Sequence, residues 1–281
     1  MANENGKKDF GKRDNFKGVR DRKPFRELRE DKEENDRPEP RTDLVIGRNA
    51  VKEALKAGRP ADSLLVQRGE LSGSIRPIIA ECKEKGIIVK EVDSKKLDFM
   101  CGHAHHQGVI MVAAAHEYST VEEILKKAED KNEAPFIVIC DGLEDPHNLG
   151  AIIRTADAAG AHGVIIPERR SVSLSGIVGK TSAGALEYVP VARVKNITNT
   201  IKDLKEKGIW VYCADMDGTP YRKADLSGAI ALVVGGEGSG VSRLVKENCD
   251  GVLSIPMKGN VNSLNASVAA AVLIFEASLT R

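Results

Sequence analysis

From Pro135 onward the chain repeats one pattern: a short apolar run, a turn, then an amphipathic stretch. The apolar runs are "FIVICDGL", "GVIIPE", "VPVARV", "IWVYCADM", "AIALVVGGEG" and "GVLSIPM". Between them lie the helical stretches "NLGAIIRTADAAG", "SGIVGKTSAGALE", "NITNTIKDLKEKG" and "SRLVKENC", and a long apolar helix from Ser263 to about Leu279 closes the chain. Strands that are apolar at consecutive rather than alternate positions are covered on both faces. The pattern therefore predicts an α/β fold built on a mostly parallel sheet. In such sheets ligands bind beyond the carboxyl ends of the strands. That rule points to three loops, 141–148, 235–241 and 257–263.

The preceding residues divide into three parts. Residues 43–115 have the pattern of a small α/β domain. "LVIGRNAVKEALKAG" starts as a strand, turns at Gly47 and continues as a helix, with Ala50, Val51, Ala54 and Leu55 on one face. "SLLVQRG", "IIVKEV" and "HQGVIMVAAA" are further strands, and "IRPIIAECKEKG" is a helix stopped by Gly86. Residues 116–134 are polar with one short amphipathic stretch, read as a linker or bridging helix that holds the domain boundary. Residues 1–42 are basic, then acidic with prolines, and carry no apolar periodicity, so a disordered charged tail is expected. It is either a solvated extension or an arm whose Arg and Lys meet phosphates while Phe10, Phe16 and Phe25 stack on bases.

Composition excludes some classes. Net charge is only +1, so a nucleic-acid partner has to be argued from local patches rather than from the total. The five cysteines form no Cys-x-x-Cys pair, which predicts free, buried thiols in a reducing compartment and no metal site. No stretch reaches the ~18–20 apolar residues of a membrane span, and the first residues lack the apolar centre of a signal peptide. The expectation is a cytoplasmic protein.

The glycine-rich turn "VVGGEGSGVS" at 233–242 tests the first of the strand-end loops. Gly235, Gly240 and Ser242 stand where a phosphate-binding P-loop has its glycines and hydroxyl, but Val241 occupies the place of the lysine. Glu237 inside the turn would repel phosphate. The glycines at 235, 236, 238 and 240 give no G-x-G-x-x-G start, so a dinucleotide fingerprint fails as well. Alone, the turn is equally well a tight strand-to-helix connection. Two other loops carry polar groups in matching places. "DGLEDPHNLGAIIRTADAAGA" offers Asn148 as a helix N-cap and Arg154 six residues on, either a solvated charge or an anion-holding group aimed at the cleft. "IPMKGNVNSLNASVAAAVLIFE" gathers Asn262, Ser263 and Asn265 at a helix opening, more polar groups than capping uses. Polar groups on three separate strand-end loops imply one shared site.

Elsewhere, "CGHAHHQG" brings His103, His105 and His106 near Cys101, which is the composition of a metal site. A polar loop before a strand is the preferred reading. Arg169, Arg170 and Lys180 in 168–187 either line an RNA groove or are solvated.

These three motifs, in this order, resemble the SpoU (TrmH-type) branch of the SPOUT RNA methyltransferases. The first is "NLGAIIRTADAAGAHGVII", the second "ALVVGGEGSGVS" and the third "IPMKGNVNSLNASVAAAVLIFE", together spanning about 135–281. "IGRNAVKEAL" and "HQGV" (His106–Val109) resemble the RlmB-like subgroup, in which they open and close a small domain similar to ribosomal protein L30e. The long charged tail before Leu44 departs from the family's core pattern.

The resemblance implies a SPOUT (α/β knot) methyltransferase domain over 135–281 with a C-terminal trefoil knot, joined by a linker at 116–134 to an L30e-like substrate-binding domain at 43–115. It implies a homodimer, S-adenosylmethionine as methyl donor, and 23S ribosomal RNA, or a ribosome assembly intermediate, as partner. The reaction would be 2′-O-methylation of a guanosine ribose in the peptidyl-transferase P loop. By motif position, Gly235, Ile255 and Leu264 would hold the cofactor through backbone groups. Arg154 would sit at the catalytic centre; a guanidinium stays protonated, so it suits holding a phosphate and stabilising a developing alkoxide. Asn148 would orient Arg154 or the ribose, Glu237 would pair with Arg154 or shape the cofactor loop, and Ser263 and Asn265 would bind the target nucleotide or brace the loop. Two other functions stay open: methylation of transfer RNA, and a non-catalytic RNA-binding or ribosome-assembly role.

Overall fold

The computed structural model describes residues 43–69 and 73–281. The tail of residues 1–42, including Phe10, Phe16 and Phe25, lies outside the described residues.

The first sheet has four strands, β1 (Leu44–Ile46), β2 (Ala61–Gln67), β3 (Ile88–Val92) and β4 (Val109–Ala113), in the order β1-β4-β2-β3. β4 runs antiparallel to both β1 and β2, while β2 and β3 are parallel. Helices α1 (Arg48–Lys56) and α2 (Ile75–Glu84) cover one face through Val51, Leu55, Ile75 and Ile78. The other face receives Leu97 from α3 (Ser94–Met100), a helix in "SKKLDFMCG" that sequence reading leaves unassigned. Of the apolar face expected on α1, Val51 and Leu55 are buried, whereas Ala50 is exposed.

"IGRN" and "HQGV" clasp one another. Gly47 precedes α1 at φ 91°, and with no side chain of its own to cap the helix it leaves the task to Gln107. Gln107 Oε1 accepts the Arg48 N–H at 3.0 Å and its carbonyl accepts Arg48 Nε at 2.9 Å. His106 Nδ1 accepts the Gly108 N–H at 2.9 Å, which leaves the proton on Nε2, 3.0 Å from Asp98 Oδ1. His103 and His105 are exposed, and Cys101 Sγ donates to the Ala104 carbonyl. Among the described residues no group of three or more His, Cys, Asp or Glu side chains is placed to hold a metal ion.

The segment after β4 holds α4 (Val121–Asp130). A capping box starts it: Thr120 Oγ1 accepts the Glu123 N–H at 3.1 Å, and Glu123 Oε2 accepts the Thr120 N–H at 2.8 Å. Buried Ile124 fits where Gly163 has no side chain, since a Cβ there would lie 2.5 Å from Ile124 Cγ1.

The second sheet has six strands: β5 (Phe136–Asp141), β6 (Gly163–Pro167), β7 (Val191–Val194), β8 (Trp210–Pro220), β9 (Ile230–Gly235) and β10 (Gly251–Ser254). Their order is β10-β8-β9-β5-β6-β7, and every pairing is parallel. Successive residues serve opposite faces, as the continuous apolar runs require. Phe136, Val138 and Cys140 of β5 enter one core and Ile137 and Ile139 the other. The first core is covered by α5 (Pro146–Ala158), α6 (Gly176–Thr181) and α9 (Ala266–Leu279). The second is covered by α4, α7 (Ile197–Glu206) and α8 (Arg243–Asn248).

Three expected helix boundaries move. Asp145, not Asn148, caps α5: its Oδ1 accepts the His147 N–H at 2.9 Å, Pro146 takes the first helical position, and Asn148 lies inside the first turn. The last helix starts at Ala266 rather than Ser263, because Asn265 turns its Oδ1 onto the N–H groups of Ser267 and Val268. The stretch 176–187 is not one helix: α6 ends at Thr181, Ala183 and Gly184 take left-handed conformations, and a 3₁₀ turn follows at Ala185–Glu187.

All five cysteines are free; Cys82, Cys140 and Cys213 are buried, while Cys101 and Cys249 are half-buried. Burial raises the Cys140 thiol to about 12 and the Cys82 thiol to about 11, so both are inert at neutral pH. Among the described residues no helix is long and apolar enough to cross a membrane.

Candidate active site

The chain runs outward from β5 through β6 to β7, then returns to place β8 and β9 on the other side of β5. The strand order thus reverses between β5 and β9. At such a switch point the loops diverge and leave a crevice at the carboxyl end of the sheet. A cavity of about 470 Å³ lies there, lined by Gly142 to Asp145, Asn148, Glu237 and Ser239.

The glycine turn after β9 is folded against the loop after β5. Gly236 N–H donates to the Asp141 carbonyl at 3.0 Å, and Asp141 Oδ2 accepts the Ser242 N–H at 2.7 Å. A Cβ at Gly236 would lie 2.3 Å from the Gly142 carbonyl oxygen, and one at Gly235 would lie 2.0 Å from the Gly240 carbonyl carbon. Both glycines are therefore demanded by backbone meeting backbone. The turn presents the Glu237 carboxylate and has Val241 where a P-loop has its lysine, and no Lys, Arg or His side chain is among the cavity lining. With Glu144, Asp145 and Glu237 around it, the cavity suits a cationic group and opposes a polyphosphate.

Asn148, Glu237 and Asn265, one from each motif, form a closed hydrogen-bonded triangle. Asn148 Nδ2 donates to Glu237 Oε1 at 2.8 Å, Asn265 Nδ2 donates to the same oxygen at 2.8 Å, and Asn265 Nδ2 also donates to Asn148 Oδ1 at 3.0 Å. Asn148 is buried, so its amide has to be paired within the protein. Asn265 uses its other end to cap α9, and Ser267 Oγ adds a 2.6 Å bond to the same oxygen. One side chain thus starts a helix and closes the site.

Glu237 is occupied by these two amides; of the two roles expected for it, pairing with Arg154 or shaping the loop, the pairing is absent. The cause is helical geometry. Six residues turn roughly 240° around a helix, which puts Arg154 on a different side of α5 from Asn148. Arg154 is exposed and has no hydrogen-bond or ion-pair partner among the described residues. Ser263 lies in the exposed stretch before α9, outside the triangle. Gly235 ends β9, half-buried Ile255 follows β10, and Leu264, 40% exposed, precedes Asn265. Gly235 stands at the carboxyl end of its strand, and Ile255 and Leu264 lie in the segment that follows β10. Asp141 and Asp145 are working parts of these loops that sequence reading passes over; an acidic residue ending an apolar strand was the available signal.

The SpoU rRNA Methylase family matches residues 135–275, and the family described as RNA 2′-O ribose methyltransferase substrate binding matches residues 44–119. The Bacillus subtilis protein YacO, assigned to the TrmH family of tRNA/rRNA methyltransferases, is 49% identical over 235 residues, covering 83% of this chain and 94% of its own. A Staphylococcus aureus protein of the same family assignment is 47% identical over 234 residues, with 83% and 94% covered. Among solved structures, the SpoU methyltransferase AviRb from Streptomyces viridochromogenes, in complex with its cofactor AdoMet, matches at TM-score 0.53 and 26% identity over 84% of this chain and 89% of that one. An rRNA methyltransferase from Sinorhizobium meliloti matches at TM-score 0.52 and 27% identity over 85% and 87%. The chain belongs to the SpoU/TrmH family of SPOUT RNA methyltransferases, with an N-terminal substrate-binding domain of that family.

Proposed function

We propose that the protein methylates a ribose 2′-hydroxyl of 23S ribosomal RNA, a guanosine of the peptidyl-transferase P loop, using S-adenosylmethionine. The observation that carries this reading is the Asn148–Glu237–Asn265 triangle, which joins the three family motifs at the switch point of the sheet. An intact, hydrogen-bonded polar cluster of this kind favours an enzyme over a decayed, purely RNA-binding relative.

The residues present fit the cofactor. Gly235 and Gly236 leave backbone where any side chain would clash, and the lining carboxylates suit a sulfonium. Backbone groups at Gly235, Ile255 and Leu264 would hold it. What it supplies when bound is an electrophilic methyl group. The rest is positioning. The triangle holds the three loops in one register, so the ribose hydroxyl meets a fixed site. Arg154, an exposed guanidinium on α5, holds a substrate phosphate and stabilises the developing alkoxide. Ser263, exposed ahead of α9, is a hydrogen-bonding partner for the nucleotide.

The chain acts as a homodimer, with a C-terminal trefoil knot near the interface. α9 supports this: apart from Ser267, Glu276 and Ser278 it is apolar, and Val268, Phe275 and Leu279 stand 49%, 47% and 81% exposed on its outer side. Transfer RNA is the second substrate reading, favoured by the double tRNA/rRNA assignment of the relatives. Incubating the enzyme with tritiated donor and separated RNA fractions distinguishes them. Label in 23S RNA is expected; label confined to transfer RNA would refute the ribosomal assignment.

A further inference from the structure

The four-stranded sheet is fastened to the six-stranded one by a buried polar joint. Arg193 of β7 donates through Nη1 to Asp62 Oδ1 of β2 at 2.8 Å and to the Asp62 carbonyl at 3.2 Å. Their side chains are 10% and 12% exposed. The guanidinium lies 4.0 Å over the Tyr118 ring. Tyr118 completes the joint: its hydroxyl donates to Asp62 Oδ1 at 3.2 Å and accepts the Leu174 N–H at 3.0 Å. Burial first, then the charge of Asp62, hold the Tyr118 pKa well above its ordinary value, so the hydroxyl keeps the proton it donates. The backbone joins in, with Ala115 N–H on the Leu174 carbonyl at 2.6 Å and Ser119 N–H on the Val191 carbonyl at 2.9 Å.

A buried ion pair is a poor choice for stability alone, because desolvation offsets the Coulomb gain. An apolar contact would hold the two sheets as well, but would let them slide. Two donations from one nitrogen plus a stacked ring define a single orientation. The joint also reaches the site. Leu174 is buried in the 168–175 segment, and Val172 N–H in the same segment donates to the Leu143 carbonyl at 2.7 Å. Leu143 lines the cavity beside Asn148.

We infer that Asp62, Tyr118 and Arg193 are positioning residues for methyl transfer: they fix the small domain at one angle and pass that orientation, through Leu174 and Val172, to the loop 142–145. The inference rests on the reading above, in which the small domain holds RNA while the large sheet carries out transfer. RNA seated on the small domain then arrives with its ribose in line with the triangle, and the same contact steadies the cavity wall.

The test uses the full chain with its RNA. Tyr118→Phe keeps the ring under Arg193 and removes the hydroxyl; Asp62→Asn keeps the shape and removes the charge. Each should lower kcat about tenfold, with KM for RNA and Kd for the donor within about twofold of wild type. The double variant should lose about as much as the more impaired single variant and no more, as expected of one linked unit. Hydrogen exchange at Val172 and Leu174 should quicken in Tyr118→Phe. Wild-type kcat in both single variants, or losses that follow the melting temperature and donor affinity, would overturn the positioning role alone. Wild-type enzyme that labels no RNA would overturn this inference together with the reading beneath it.

Discussion

Glu237 accepts from two amides through one oxygen, and that economy makes it the most sensitive point of the site. Glu237→Gln keeps the volume but replaces a charged acceptor with a neutral amide oxygen, which holds the two donors less strongly. We expect about a hundredfold loss of kcat with the fold intact, read by single-turnover methyl transfer. Asn265→Ala removes a helix cap as well as a site bond, so it should also destabilise by about 1 kcal/mol, measurable by urea denaturation. His162 gives a pH effect far from the chemistry. It is 1% exposed, its Nδ1 accepts the Phe136 N–H at 3.0 Å, and Nε2 faces Glu133 at 3.0 Å. Burial depresses its pKa despite Glu133, so the folded state prefers the neutral ring. That stability is present above the unfolded value of about 6.5 and is lost as the pH falls through the lower folded value. The melting temperature should drop more steeply on acidification in the wild type than in His162→Gln; parallel curves would contradict the assignment.

At the scale of elements, the glycine turn and the helix starts determine where side chains point. Gly236→Ala places a methyl group against the Gly142 carbonyl, and the two loops have to part. We predict a cost of about 1–3 kcal/mol and markedly weaker donor binding, seen by calorimetry. The strands and most helices were legible in the sequence, because consecutive apolar residues and terminal glycines report burial and chain reversal locally. The triangle was legible only as a grouping. Asn148, Glu237 and Asn265 were each marked by their loops, but their mutual bonds cross 89 and 117 residues and leave no local trace. Asn148 also imitated a cap, since Asn, Asp and Ser serve equally at that position and only the structure shows Asp145 in the role. The Arg154–Glu237 pairing failed for a reason the sequence already contained, the angular separation along α5. The Asp62–Tyr118–Arg193 joint was missed because an arginine inside a strand run reads as solvated until a partner from another sheet appears.

For the whole molecule, one parallel sheet covered on both faces accounts for the site's location: chain reversal beside β5 opens a crevice, and the loops of three motifs meet there. The outward stripe of α9 predicts association. Phe275→Glu should convert a dimer to a monomer in sedimentation, and a monomeric wild type would remove that part of the account. The central claim is tested most directly by nucleoside mass spectrometry of 23S RNA from cells lacking the gene, before and after incubation with purified enzyme and donor. The account predicts that one 2′-O-methylguanosine is missing and is restored by the enzyme but not by Glu237→Gln; an unchanged nucleoside profile, or a methyl group on a base, would contradict it.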